Sequence, residues 1–194
     1  INWAIINGES KTGVTTFFID DKIDTGAMIL SKETMIGSEE SAGELHDRLM
    51  TIGSEAVIAT LALIENGTVT TTIQVDNADI KTAYKLNKDN CKVDWHKSAA
   101  EIHNLIRGLS PYPAAWCFFK DNGEEWNVKL YEAKVISESH ALPVGQLITT
   151  KKEMKVAVKD GFIQILSLQL PGKKKMAAHE LLNGVSFSER AQAE

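Results

Sequence analysis

The sequence has few residues that cross-link or anchor a protein. Its 194 residues include only two cysteines, Cys91 and Cys117, which lie far apart in the chain without a CxxC or CxxH pattern. A disulfide framework or zinc site is therefore not indicated, and we expect both cysteines to be reduced core residues. No apolar run approaches the roughly 18 residues that a membrane span requires, and no signal-peptide pattern is visible. We expect a cytoplasmic protein without a membrane partner.

The sequence also lacks an initiator methionine and opens directly in the apolar segment INWAII. We therefore expect a fragment of a longer protein. Charge changes sign along the chain, because residues 1–84 carry 5 basic and 13 acidic side chains whereas residues 85–194 carry 16 and 13. This asymmetry predicts two domains and an anionic partner for the second, although a net charge of +3 is also ordinary for a domain of this size.

Two strand signals lie near the start of the chain. GVTTFFI (13–19) and AMILSKETM (27–35) are rich in β-branched and apolar residues, which is typical of strands. The segment between them is acidic and contains Asp24. We expect Asp24 to lie in the turn at the junction of the two strands.

A long helix and a polar connection follow. The capping box SAGE (41–44) predicts the start of the helix, and Asn-Gly at 66–67 predicts its end. Apolar residues between these points recur every three or four positions. Strands followed by such a helix are typical of the closing part of an α/β sheet domain, which we assign to residues 1–70. The polar segment 71–90 is predicted to be a linker.

The remaining residues, 91–194, predict a mainly β domain. A second capping box, SAAE (98–101), begins a shorter helix that ends at Ser110-Pro111. Five or six short apolar segments separated by Gly, Pro and Asn turns then predict a small closed barrel, and HELLNG (179–184) predicts a last short helix.

The tripeptide Asp24-Thr25-Gly26 also occurs in aspartic proteases, which place two such carboxylates about 3 Å apart to share one proton. A single copy would suffice only in a dimer. The requirements are poorly met, since the residues just before Ile23 are Asp-Asp-Lys and not an apolar strand, and the long helix has no place in those small all-β enzymes. We therefore disfavour a protease.

Longer strings carry a resemblance to a known family. INWAIINGESKTGVTTFFIDDKIDTGAMIL in the first part, and KLNKDNCKVDWHKSAAEIHNLIRGLSPYPAAW with LQLPGKKKMAAHELLNG in the second, are similar to the methionyl-tRNA formyltransferase family. The resemblance covers most of the chain. It implies an α/β fold followed by a mainly β fold: the end of a Rossmann-like formyltransferase domain joined to an OB-like barrel with a flanking helix.

The resemblance implies an enzyme and a role for Asp24. Such enzymes transfer a formyl group from 10-formyltetrahydrofolate, without a metal, to the amino group of methionyl initiator tRNA in translation initiation. Asp24 matches the acid of the family's Asn, His and Asp trio, where it orients the His and relays protons. The Asn, the His and the main folate loop lie upstream in the family, so we expect the chain to be inactive alone. The alternative from the residues themselves is that Asp24 only caps its turn.

The resemblance also implies a function for the positive charge of the second part, because the carboxy-terminal domain of the family holds the acceptor arm of the initiator tRNA. Cations attract RNA phosphates without reading sequence. The predicted RNA-binding residues are Lys85, Lys88, Lys92, Arg107, Lys173, Lys174 and Lys175. For the last three a solvated turn is the alternative, and Arg107 could instead pair with Glu101 or cap the helix.

Two further questions stay open in the sequence. Trp95, Tyr112 and Trp116 could stack on bases, although packing against the helix is the more ordinary role for the two tryptophans. The whole chain could also be a stand-alone RNA-binding module, or a folate hydrolase or dehydrogenase module of the same family. The resemblance gives no reason to expect an obligate protein partner.

Overall fold

A computed structural model describes residues 1–75 and 80–194 of the chain. Part of the predicted linker, residues 76–79, lies outside the described residues. The contacts between residues divide the chain into two compact units. One joins residues 1–8 and 41–43 to 85–194, and the other joins 9–40 to 44–84.

The second unit contains a hairpin and a long helix. Strands β1 (Lys11–Phe17) and β2 (Met28–Met35) pair antiparallel, as their β-branched sequences predict. Helix α2 (Ala42–Glu65) begins and ends where the capping box and the Asn-Gly pair predict, and Gly67 adopts a left-handed φ of 63°. A hydrogen bond of 2.7 Å between the hydroxyls of Thr16 and Thr60 links β1 to α2.

Two helices pack together in the other unit. Helix α1 (Asn2–Ile6) lies against α3 (Ala99–Leu109), and the Asn2 side-chain amide donates to the carbonyl of Gly108 at 2.8 Å. A Cβ on Gly108 would lie 2.7 Å from Ile6 Cγ1, so glycine permits this close approach. The predicted capping box of α3 is confirmed.

The sheet of this unit is nearly closed into a barrel. Its strands are β3 (Ala115–Asp121), β4 (Glu124–Ile136), β5 (Leu147–Thr149), β6 (Met154–Val158), β7 (Gly161–Gln169), β8 (Met176–Ala177) and β9 (Gln192–Ala193). The short helix α4 (Ala178–Leu181) directly follows β8. All pairs are antiparallel, the strand order is β5-β6-β7-β4-β3-β9, and β8 pairs with β7. The two ends of the sheet approach each other, because the Leu147 amide donates to Ala191 and the Ala193 amide donates to Gly145.

The barrel core forms from alternate residues of the strands and from one face of α3. On β3 the side chains of Ala115, Cys117 and Phe119 are fully buried while the residues between them are not. Cys91 is also buried, and both cysteines are unpaired. Burial raises the pKa of both thiols above the ordinary value, since the thiolate would lose its solvation. Trp95 is 4% exposed, which confirms its predicted packing role.

A buried carboxylate fastens the end of the chain to the β3–β4 turn. Asp121 accepts hydrogen bonds from the Ser188 hydroxyl and, at 2.9 Å, from the Ser188 amide. These bonds hold the pKa of Asp121 below its ordinary value of 3.8, because they stabilise the charged form. The carboxylate therefore stabilises the fold above pH 3.8, and that contribution is lost as the pH falls through the lowered pKa.

We expect Asp121→Asn to lower the thermal unfolding midpoint at pH 7, and to do so by less as the pH falls below 3.8. Thermal unfolding followed by circular dichroism between pH 2 and 7 measures this difference. Glu124→Gln, which makes the same charge change at an exposed position of the same hairpin, is the control. A difference between Asp121→Asn and the unaltered chain that stays constant over this range would contradict the prediction.

Candidate functional site

Asp24 lies in the connection between β1 and β2, as the sequence predicts. It is exposed and has a left-handed φ of 58°, which is uncommon for a residue with a side chain. The side-chain amide of Gln74 donates to the carbonyls of Asp24 and Gly26 at 3.0 and 2.8 Å. The backbone on both sides of Thr25 is therefore fixed from a segment that lies 50 residues further along the chain.

A different acid caps this turn. The Asp20 carboxylate accepts from the Lys22 amide at 2.9 Å, and from the Thr25 hydroxyl at 2.9 and 3.1 Å. Asp20 thus makes the local side-chain bonds that are expected of an acid in a turn. Asp24 contributes its backbone carbonyl to the turn and holds its carboxylate at an exposed position.

Gly26 is required by the shape of the turn. Its Cα faces the backbone of Phe18, and an added Cβ would lie 1.5 Å from the Phe18 carbonyl oxygen, which is the length of a covalent bond. At the same place the Phe18 amide donates to the carbonyl of Ala27 at 3.0 Å, which joins the two arms of the connection. The glycine of the Asp-Thr-Gly tripeptide therefore allows the two arms of the connection to touch.

Two kinds of feature are absent from the described residues, clusters of metal-binding side chains and membrane-spanning helices. Within 1–75 and 80–194 no three side chains of His, Cys, Asp or Glu come together in a way that could hold a metal ion. None of the helices in that part of the chain has both the length and the apolar content to cross a membrane.

The predicted lysines before α3 gather on one aromatic side chain. The Nζ atoms of Lys88 and Lys92 lie 5.2 and 5.6 Å from the centre of the Trp116 ring, within cation–π range. Lys92 also lies 5.4 Å from the ring of Phe118. The Trp116 indole donates to the carbonyl of Lys88 at 2.7 Å, which fixes the segment against β3.

Lys85 lies at the start of the same segment, where its carbonyl accepts from the Asn90 side chain at 2.9 Å. The other predicted lysines, 173–175, occupy the turn between β7 and β8 and are exposed. Lys175 pairs with Glu132 at 3.0 Å and lies 5.0 Å from the centre of the Tyr131 ring. Lys175 therefore lies against β4.

Strand register connects the two groups of lysines through Lys129, which was not among the predicted RNA-binding residues. Trp116 on β3 is directly opposite Lys129 on β4, and Tyr131 follows two positions later on the same face. The outer face of β3 and β4 thus runs from Trp116 past Lys129 to Tyr131 and Lys175. Alternation in WNVKLYEAKVI was the available signal, because Val128 and Leu130, on either side of Lys129, are buried.

Arg107 does not share this face. It lies on α3 with 8% of its surface exposed, and its Nε donates to the Asn104 side chain at 2.9 Å. Tyr112 in contrast is 83% exposed. A phosphate contact by Arg107 stays a prediction that this burial disfavours.

Comparison with protein families gives two matches. A family model described as "Formyl transferase" matches residues 1–61, and one described as "Formyl transferase, C-terminal domain" matches residues 85–186. The chain is 69% identical over 192 residues to a methionyl-tRNA formyltransferase of Flavobacterium johnsoniae, covering 99% of this chain and 61% of that protein. The corresponding protein of Flavobacterium psychrophilum is 64% identical, with 98% and 60% covered. The chain thus spans about three fifths of the length of these curated relatives.

A solved structure shares the fold. HypX from Aquifex aeolicus in complex with tetrahydrofolic acid superposes with a TM-score of 0.66 at 21% identity, over 96% of this chain and 33% of that one. The family matches together cover most of the sequence, and the C-terminal model alone matches more than half of it. The chain therefore belongs to the formyl transferase family.

Proposed function

We propose that the protein of which this chain is part transfers a formyl group from 10-formyltetrahydrofolate to the amino group of methionyl initiator tRNA. The observation that carries the proposal is the 69% identity to the Flavobacterium johnsoniae methionyl-tRNA formyltransferase across 99% of the chain. In this assignment residues 1–70 close the catalytic domain, 71–90 link it, and 91–194 form an OB-like domain that holds tRNA in the cytoplasm.

The reaction needs proton transfer from the attacking amine and to the leaving folate nitrogen. The methionine amine attacks the formyl carbon to give a tetrahedral oxyanion, then loses a proton while the leaving folate nitrogen gains one. Asp24 is suited to orient a cationic imidazole and to pass protons, because its carboxylate is exposed on a turn that hydrogen bonds from Gln74 and to Asp20 hold in place. In this proposal that imidazole, an Asn and the main folate loop lie in a part of the whole protein upstream of this chain, as the family resemblance implies.

We expect the 194-residue chain to transfer no formyl group by itself, and a hybrid to be active. In the hybrid this chain replaces the matched segment of the Flavobacterium johnsoniae relative. Formylation is measured with charged initiator tRNA and 10-formyltetrahydrofolate, and uncharged tRNA separates transfer from folate hydrolysis. Transfer by the chain alone would contradict the expectation that essential catalytic residues lie outside it. A folded but inactive hybrid would overturn the transferase assignment. Folate turnover without charged tRNA would instead identify a hydrolase module.

A separate prediction concerns RNA. We expect replacement of Lys173, Lys174 and Lys175 by alanine to weaken tRNA binding and to reduce the slope of log K against log salt by up to about 2.7, since each phosphate contact contributes about 0.9. Filter binding of the chain to initiator tRNA between 50 and 200 mM salt measures the slope. The control replaces three exposed lysines of other turns: Lys151, Lys152 and Lys159. An unaltered slope would remove the lysine run from the RNA interface and leave it a solvated turn.

A further inference from the structure

A cavity of about 370 Å³ opens on the outer face of β3 and β4. Its walls include Tyr112, Trp116, Lys88 and Lys129, together with the amide side chain of Asn127. This volume lies in the range of small-ligand sites, and it is large enough for a nucleobase and part of its ribose. The proposed tRNA interface does not by itself require such a depression, because phosphate contacts need only surface lysines.

The walls combine three kinds of side chain that unpaired nucleotides require. Tyr112 presents a ring that is 83% exposed, while Trp116 forms a half-buried second aromatic wall that its bond to the Lys88 carbonyl holds in place. Asn127 supplies an amide that can both donate to and accept from a base edge. Lys88 and Lys129 place positive charge at the same cavity.

We propose that this cavity is a subsite for one unpaired nucleotide of the RNA substrate, with its base against Tyr112 and its phosphate near Lys88 and Lys129. The inference rests on the proposed RNA-binding function and adds a location and a ligand to it. A base inside a duplex cannot enter, because its faces are covered by its neighbours. Proteins bind unstacked bases on aromatic side chains, and stacking tolerates any base. The stacking contact with Tyr112 therefore selects for single-stranded character and not for sequence.

The test uses the 194-residue chain and a single-stranded RNA hexamer that contains 2-aminopurine, whose fluorescence is quenched by stacking. We expect quenching on binding. Tyr112→Ala should abolish the quenching and weaken binding about 5- to 150-fold, whereas Tyr112→Phe should retain both. Tyr84→Ala, an exposed tyrosine outside the cavity, is the control. Lys129→Ala should reduce the salt slope by about 0.7.

Other outcomes overturn the subsite. These are no binding of the hexamer, binding without quenching, equal effects of Tyr112→Ala and Tyr84→Ala, or an equal loss of affinity for a duplex of the same sequence. Displacement by adenosine monophosphate at equal concentration would make the cavity a free-nucleotide site and would also overturn the RNA assignment. Failure of the hybrid to formylate tRNA would sink the proposed activity but leave quenching intact, so the two failures are distinguishable.

Discussion

Replacing Asp24 with asparagine is expected to lower formyl transfer by the hybrid about 10²- to 10⁴-fold, the usual contribution of a positioned acid or base. The turn should persist, because its hydrogen bonds use the Asp24 carbonyl and the Asp20 carboxylate, neither of which changes. Turnover should fall while tRNA affinity stays the same. Initial rates with charged initiator tRNA, together with filter binding, separate these quantities.

Asp21→Asn is the matched control for this substitution. It removes the same charge from the same exposed connection, three residues earlier. We expect its turnover to equal that of the unaltered hybrid. If Asp24→Asn kept full turnover, or if both variants lost activity equally, Asp24 would have no specific catalytic role, as the stand-alone RNA-binding alternative holds.

Gly26→Ala is expected to disrupt the β1–β2 hairpin and destabilise it by roughly 3–5 kcal/mol, at the severe end of single substitutions. The methyl group would overlap the Phe18 carbonyl oxygen, a backbone atom that cannot rotate away. Hydrogen exchange of the β1 and β2 amides measures the local loss of protection, and urea unfolding measures the total. Formyl transfer by the hybrid should be lost together with the hairpin.

Gly67→Ala tests whether this effect is specific to the site. Gly67 has a left-handed φ of 63°, and an added Cβ would meet no atom within 4 Å, so the cost should be only about 1–2 kcal/mol of backbone strain. Equal destabilisation by the two substitutions would show that the close approach to Phe18 is not what Gly26 provides.

Local signals in the sequence predicted most of the secondary structure. Both capping boxes mark the starts of helices, because the bonds of a cap join residues only three positions apart. The strands of the barrel were predicted from short apolar segments. The two-residue strands β8 and β9 were missed, since so short a segment has no measurable alternation and forms only because a partner strand is present.

The candidate site was predicted less completely than the fold. The resemblance identified Asp24, but only the structure of the β1–β2 connection shows that Asp20 caps the turn and that Gln74 donates hydrogen bonds to its backbone. Arg107 was chosen for its charge and its place near a helix end, and its burial against Asn104 follows from the packing of α3. Lys129 was overlooked because alternation in the strand indicates only that it faces outward, and its cross-strand neighbour Trp116 is known only from the fold.

The sequence by itself determined where α2 and α3 begin and end, which strand faces are apolar, and the family to which the chain belongs. These properties depend on residues close together in the chain or on the chain as a string. The tertiary structure alone decided which side chains share a surface. Pairing of β3 with β4 sets Trp116 opposite Lys129, and a register shifted by one residue would send one of these two side chains into the core. That long-range pairing sets Lys129 beside Trp116 on the outer face of β3 and β4, where the cavity opens.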